Sequence, residues 1–199
     1  MKDYNNLLLK VKYLYAKIDY QQEVFQQAKL DFEEYANKFC EENGIEIEIP
    51  AMDNETTDVD IRRDNIGFNV EDVETKSIHI KKLFRKIAIM THPDKLTKLD
   101  DFERERKTKL FLKAREAAEA GKWFALVDTA KALGIETPKP DEEQLGLLEN
   151  ESENVDKEIK DIEATYAWLM YTLDTDEQRK LLMTAYLKNL GVHFGKDTD

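Results

Sequence analysis

The first 43 residues contain neither Pro nor Gly, and their apolar side chains recur every seven positions. Tyr4, Val11, Ile18, Phe25, Phe32 and Phe39 share one heptad position, and Leu7, Leu14, Gln21, Ala28 and Tyr35 share the other; ten of these eleven are apolar. That period predicts a single amphipathic helix over residues 1–43, about 40 residues and roughly 60 Å long. Such a helix cannot bury its stripe alone. It must pair with a second copy as a coiled coil or pack on the chain's own helices. Leu8, Tyr15, Val24 and Ala36 flank the seam and widen the apolar face beyond what a two-stranded coil covers, which favours intramolecular packing.

Gly44 ends this pattern, and residues 44–74 are expected as an acidic linker. Ile45-Glu46-Ile47-Glu48-Ile49 alternates strictly and is expected as a short strand closed by Pro50. Helical spacing resumes in a core over residues 75–134. Ile80, Leu83, Phe84, Ile87 and Ala88 define one face of its first helix, with Thr75 or Ser77 as N-cap. Pro93 stops that helix, because the residue before a proline is pushed out of the α region. Asp100 with Glu103 resembles a capping box and starts the next helix, which Gly121 breaks. A shorter helix carries Trp123, Leu126, Val127 and Leu133 and ends at Gly134, with Ile135 placed for a Schellman contact.

Residues 135–154 are strongly acidic and are expected as a second linker. Over 155–192, Val155, Ile159, Ile162, Tyr166, Leu169 and Leu173 form a narrow stripe, followed by a Thr175–Gln178 capping box and Leu182, Tyr186 and Leu190 before Gly191. The short turn makes this a helical hairpin. Its stripe matches that of the N-terminal helix, and burying each against the other is the simplest arrangement. The fold class is therefore all-α: a helical-hairpin core, a long coiled-coil-like N-terminal helix and a C-terminal hairpin.

Chemistry-bearing residues are sparse. A lone cysteine, Cys40, allows no internal disulfide and no Cys-based zinc cluster, and it ends an apolar stripe as a core residue would. His79 and His193 lack spaced ligand partners and are expected to be structural or solvated. Gly121-Lys122 lacks the other parts of a phosphate loop. Trp123 and Trp168 sit on apolar stripes and are expected in the core. No nucleophile, metal or cofactor constellation appears, so an enzyme, a metal and a cofactor are all unexpected. No run approaches the ~20 apolar residues of a membrane span, and the N-terminus lacks a signal peptide's features. A cytoplasmic location is expected.

Net charge is −12, which argues against general nucleic-acid binding. The charge is uneven, however. Residues 76–98 carry seven basic residues and one acidic, a net of +6, between a net of −10 over 41–74 and −7 over 136–161. This basic island contains Ile80 to Lys95, IKKLFRKIAIMTHPDK. Lys81, Lys82, Arg85 and Lys86 lie mainly opposite the apolar face, forming a stripe that steers an acidic partner. The helix ends at His92-Pro93-Asp94. A turn between helices exposes what it carries, Pro93 restricts its motion, and His92 and Asp94 offer hydrogen-bonding groups there. Pro-Asp is also an ordinary stop-and-restart signal, and a basic helix face is commonly only solvated; neither explains the tripeptide together with its flanks.

This segment resembles the J-domain family of co-chaperones: a basic second helix, a His-Pro-Asp loop and a third helix. Phe111, Ala114, Ala117 and Ala118 match the family's third-helix spacing in outline, and the resemblance covers about residues 70–134. There are departures. Phe84 stands where Tyr is usual, Met90-Thr91 where Lys-Tyr is usual, and Ala118 replaces an aromatic; the family's first helix is not recognisable upstream, and the interval from loop to Phe111 is long. The resemblance implies a DnaK-type heat-shock protein 70 chaperone as partner, bound at its nucleotide-binding domain by His92, Pro93, Asp94, Lys81, Lys82, Arg85, Lys86 and Lys95. It also implies that the equivalent of Asp94 disturbs an arginine-centred network in the chaperone and favours ATP hydrolysis. Divergent members include viral and bacterial proteins, which extends the expected location to a host cytosol or a virion. The alternative is an assembly protein that keeps a J-like scaffold and oligomerises or docks through its long N-terminal helix.

Overall fold

Helices are the only regular elements among the described residues of the computed structural model, which are 4–47, 49, 77–97 and 99–194; the side chains of Pro93 and Asp94 lie outside this set. In chain order the helices are α1 (Tyr4–Glu42), α2 (Ile78–Thr91), α3 (Pro93–Leu96), α4 (Asp101–Glu119), α5 (Trp123–Ala132), α6 (Glu142–Glu163), α7 (Tyr166–Tyr171) and α8 (Asp176–Asn189). The fold is all-α with a long N-terminal helix. Its described residues divide into one unit drawn from residues 1–15 and 60–155 and another drawn from 16–59 and 156–199, so α1 and α6 contribute to both. No helix among the described residues is long and apolar enough to cross a membrane.

The first unit is built around α2, α4 and α5. Ile80, Leu83, Phe84, Ile87 and Ala88 of α2 join Phe111, Ala114, Ala117 and Ala118 of α4 and Trp123, Leu126, Val127 and Ala130 of α5 in one buried cluster. Phe84 and Phe111 meet with ring centroids 6.0 Å apart. The small residues on α4 let α2 and α5 approach it closely. His79, in the first turn of α2, lies edge-on to Trp123, just past the end of α4, with centroids 6.3 Å apart. Helices α2 and α4 therefore run antiparallel. Gly134 ends α5 at φ +69°. Ile135 N–H then returns to Ala130 O at 2.8 Å and Gly134 N–H to Lys131 O at 3.0 Å, the expected Schellman pair.

The start of α1 and the first half of α6 complete this unit. Val11 and Leu148 are buried in the same cluster, and Trp123 Nε1–H donates to Tyr4 Oη at 2.9 Å. Glu151 of α6 is only 5% exposed. It accepts from Phe124 N–H at 2.7 Å and from Tyr15 Oη–H at 2.8 Å. The first bond caps α5, whose own N-cap residue, Lys122, makes no side-chain capping bond. Burial pushes the Glu151 carboxyl above its ordinary value, while these two donors oppose the rise.

In the second unit Phe32, Ala36, Phe39 and Cys40 of α1 are buried with Ala167 and Met170 of α7 and Met183, Tyr186 and Leu187 of α8. Phe32 meets Tyr186 edge-on at 4.9 Å. Burial raises the Cys40 thiol pKa, as suits a core residue. Lys17 pairs with Glu163 at 2.9 Å, and Gln21 donates to the same carboxylate at 2.7 Å. The seam of α1 is thus covered within the chain. Both halves of the Thr175–Gln178 capping box are present at the start of α8.

Three expectations need correction. The acidic stretch 135–154 is not a linker beyond residue 141, because α6 begins at Glu142 with Asp141 Oδ1 accepting from Gln144 N–H at 2.9 Å. Its inward positions include Gln144, Glu151 and Ser152, all buried, so its apolar period is too dilute to read. The helix expected from Val155 to Leu173 breaks at Ala164–Thr165, where Thr165 Oγ1 accepts from Trp168 N–H at 3.2 Å and starts α7 afresh. Ile45 and Ile47 form no strand. With Ile49 they pack on the cluster of the second unit, so their alternation reflects one-sided burial without a partner strand; residues 48 and 50–76, which hold the rest of the expected linker, lie outside the described set.

Candidate partner-binding site

The α2 helix starts at Ser77, whose Oγ accepts from Ile80 N–H at 3.4 Å and donates to Glu143 at 2.7 Å. Its inward face is apolar throughout, apart from Thr91, whose hydroxyl donates back to Ile87 O at 2.9 Å and so leaves no buried donor unmet. Lys81, Lys82, Arg85 and Lys86 are all exposed on the other side. Four cations within six residues and no acid between them produce a field of one sign. Arg85 precedes His92 by seven residues, two turns or about 10 Å along the axis, so both lie on one side of the helix.

The bend that follows is dictated locally. His92 has φ −61° and ψ 137°, the extended geometry that the next proline requires. Pro93 opens α3 at a position where its missing N–H costs nothing. Lys95 N–H closes the turn on His92 O at 2.9 Å. Leu96 is buried and pins the turn from inside, whereas Lys95 is exposed and His92 half-buried. Asp100 Oδ1 then accepts from Glu103 N–H at 2.8 Å and starts α4. The predicted basic residues and His92 are thus gathered on α2 and at its end, with Lys95 one short turn further. Pro93 and Asp94 are held in the backbone of α3, and their side chains lie outside the described set.

Other predicted residues resolve into structure. His79 Nε2 lies 3.0 Å from Asp141 and 3.3 Å from Glu143, and its Nδ1 lies 3.3 Å from Gln144 Nε2. It ties the start of α2 to the start of α6, a structural role. Trp123 is fully buried, while Trp168 is only half-buried and leans on Tyr171 at 5.6 Å. His193 is exposed.

Sequence reasoning missed the apolar part of the surface. Ile89 and Met90 are 53% and 41% exposed on the last turn of α2, and Phe102 is 76% exposed at the start of α4. The signal was available for the first two, since both fall off the stripe through Ile80, Leu83, Phe84 and Ile87. The exposed side of α2 therefore passes from charge to apolar contact area as it nears the bend. It combines four exposed cations with two exposed apolar side chains. Compared with known proteins, the chain matches no family profile, no curated protein and no solved structure.

Proposed function

We propose that this protein is a J-domain-type co-chaperone that engages a DnaK-type heat-shock protein 70 in the cytoplasm and stimulates its ATP hydrolysis. The observation that carries this reading is the continuity of the α2 surface. An unbroken cationic stripe leads into Ile89 and Met90 and then into the His92-Pro93-Asp94 bend, all on one antiparallel helix pair. A stripe of one sign accelerates encounter with an acidic partner and sets its orientation, while contributing less to the lifetime of the complex. The exposed apolar turn supplies the desolvated contact that lifetime needs. The bend then delivers His92 and Asp94 to the partner, whose own active site does the chemistry.

Adding this protein to an ATP-loaded DnaK-type chaperone should raise the single-turnover hydrolysis rate several-fold. His92→Gln and Asp94→Asn should each abolish the increase, with the helical circular dichroism unchanged. Wild-type stimulation by both variants would reject the proposal.

A further inference from the structure

A cavity of about 250 Å³ lies within the second unit, between α1, α7 and the first turn of α8. Its floor is apolar. Phe32 and Met170 are buried there, beside Ala28, whose methyl leaves the space open. Tyr35 and Tyr171 add two rings to the wall, and Tyr171 stands exposed at the rim. The volume falls below the roughly 300 Å³ at which sites for drug-sized molecules begin. It suits a molecule the size of a single amino acid.

Two side chains of opposite charge, Arg179 and Asp31, line the same cavity. Arg179 donates to Leu173 O at 2.8 Å, which uses one of its five N–H groups. Its Nε–H is buried and meets no acceptor among the described residues, a costly arrangement for a charged donor. The neighbouring carboxylate does not supply one, because Asp176 is engaged by Lys180 at 2.7 Å and by Tyr35 Oη–H at 3.1 Å. Arg179 is also the fourth residue of α8, near the helix end where the backbone dipole disfavours a cation. Local structure therefore leaves this guanidinium without an anion. Asp31 is exposed and accepts from Gln27 Nε2 at 2.7 Å; no ion pair joins it to Arg179 among the described residues.

We propose that this cavity binds a free α-amino acid with an aromatic side chain, its carboxylate on Arg179, its ammonium on Asp31 and its ring on Phe32 and Met170. A plain anion would meet like charge at Asp31, and a plain cation would meet it at Arg179. A zwitterion answers both. The rings of Phe32, Tyr35 and Tyr171 favour an aromatic body, since ring pairs gain more than their buried area alone. The site lies wholly in the second unit, takes no residue from the α2 surface and stands independently of the co-chaperone reading.

Isothermal titration calorimetry of the full chain with L-phenylalanine should give a dissociation constant between about 10 µM and about 1 mM, as suits a ligand of few atoms. 3-Phenylpropionate lacks the ammonium and phenethylamine the carboxylate; each should bind about tenfold or more weakly. Arg179→Met keeps an apolar stem and should abolish binding of L-phenylalanine. Asp31→Asn retains an acceptor for Gln27. It should weaken L-phenylalanine about tenfold and strengthen 3-phenylpropionate, so that the preference for the zwitterion disappears. In methyl NMR spectra the Ala28 and Met170 signals should move on binding, while those of Ala114 and Ala130, buried in the first unit, should stay. No binding of L-phenylalanine at about 10 mM, equal binding of the three compounds, affinity unaltered in either variant, or methyl shifts that spare Ala28 and Met170 would each overturn the proposal.

Discussion

Helices α1 and α2 each bury one apolar face and leave charge outside, but their outer charges are organised differently. On α2 Lys81, Lys82, Arg85 and Lys86 are cations without an intervening acid. On the exposed side of α1 the signs are mixed, with Lys10, Lys12 and Lys38 among Asp19, Glu23, Asp31 and Glu34. A stripe of one sign repels a copy of itself and attracts acidic surfaces. A face of mixed sign has no such net field. The same amphipathic architecture thus carries two different surface fields by charge order alone, without any change in fold.

The buried faces separate the two helices further, and the largest expected effect tests them. Phe84→Ala removes a fully buried ring that packs on Phe111, and should cost about 3–5 kcal/mol in urea unfolding. Lys81→Ala, one helical turn's edge away on the exposed side, should change stability by less than about 0.5 kcal/mol. Equal losses would break the division of α2 into a structural and a binding face.

The packing around α1 is less purely apolar, and Glu151 of α6, which accepts from Tyr15 of α1, tests it. Glu151→Ala strips the acceptor from Phe124 N–H and Tyr15 Oη–H, and should cost about 1–3 kcal/mol. Glu151→Gln retains an acceptor and removes the titration. Because burial raises the wild-type carboxyl pKa, the folded chain binds more protons than the unfolded one above the ordinary glutamate value of 4.5. Wild-type stability should therefore fall as pH rises from there through the folded-state pKa. The Gln variant should lack that decline, and paired urea titrations across the acid range would show whether it does.

A smaller effect probes the outer charge of α2. Lys82→Glu with Arg85→Glu should weaken chaperone binding about tenfold at low salt, and less as salt screens the surface. Stability should barely move. An affinity indifferent to both substitutions would mean that the stripe is only solvated.

Much of this was legible in the sequence, and the failures share a cause. Periodicity revealed α2, α4 and α5 because their inward residues are apolar, and Gly134 and Thr175 marked boundaries through backbone geometry and capping that depend on few neighbours. The first half of α6 was hidden because Gln144, Glu151 and Ser152 occupy inward positions, where their meaning comes from partners distant in sequence. Thr165 broke an expected helix by capping the next one, a competition that a stripe of apolar residues does not register. On α1 the dominant seam was read correctly as internal, whereas the exposure of Leu9, Tyr13, Tyr20 and Leu30 emerged only from the packing. At the site, the cations and His92 were legible as a motif, while the exposure of Ile89, Met90 and Phe102 depended on how α2 and α4 pack.

The most direct test of the central claim is a titration of single-turnover ATP hydrolysis by a DnaK-type chaperone with this protein, in which the plateau reports activation and the midpoint reports affinity. The wild type should give a raised plateau, the doubly reversed α2 variant the same plateau at a higher midpoint, and His92→Gln a plateau at the chaperone's basal rate. A flat response to the wild type, or a His92→Gln plateau equal to it, would contradict the account.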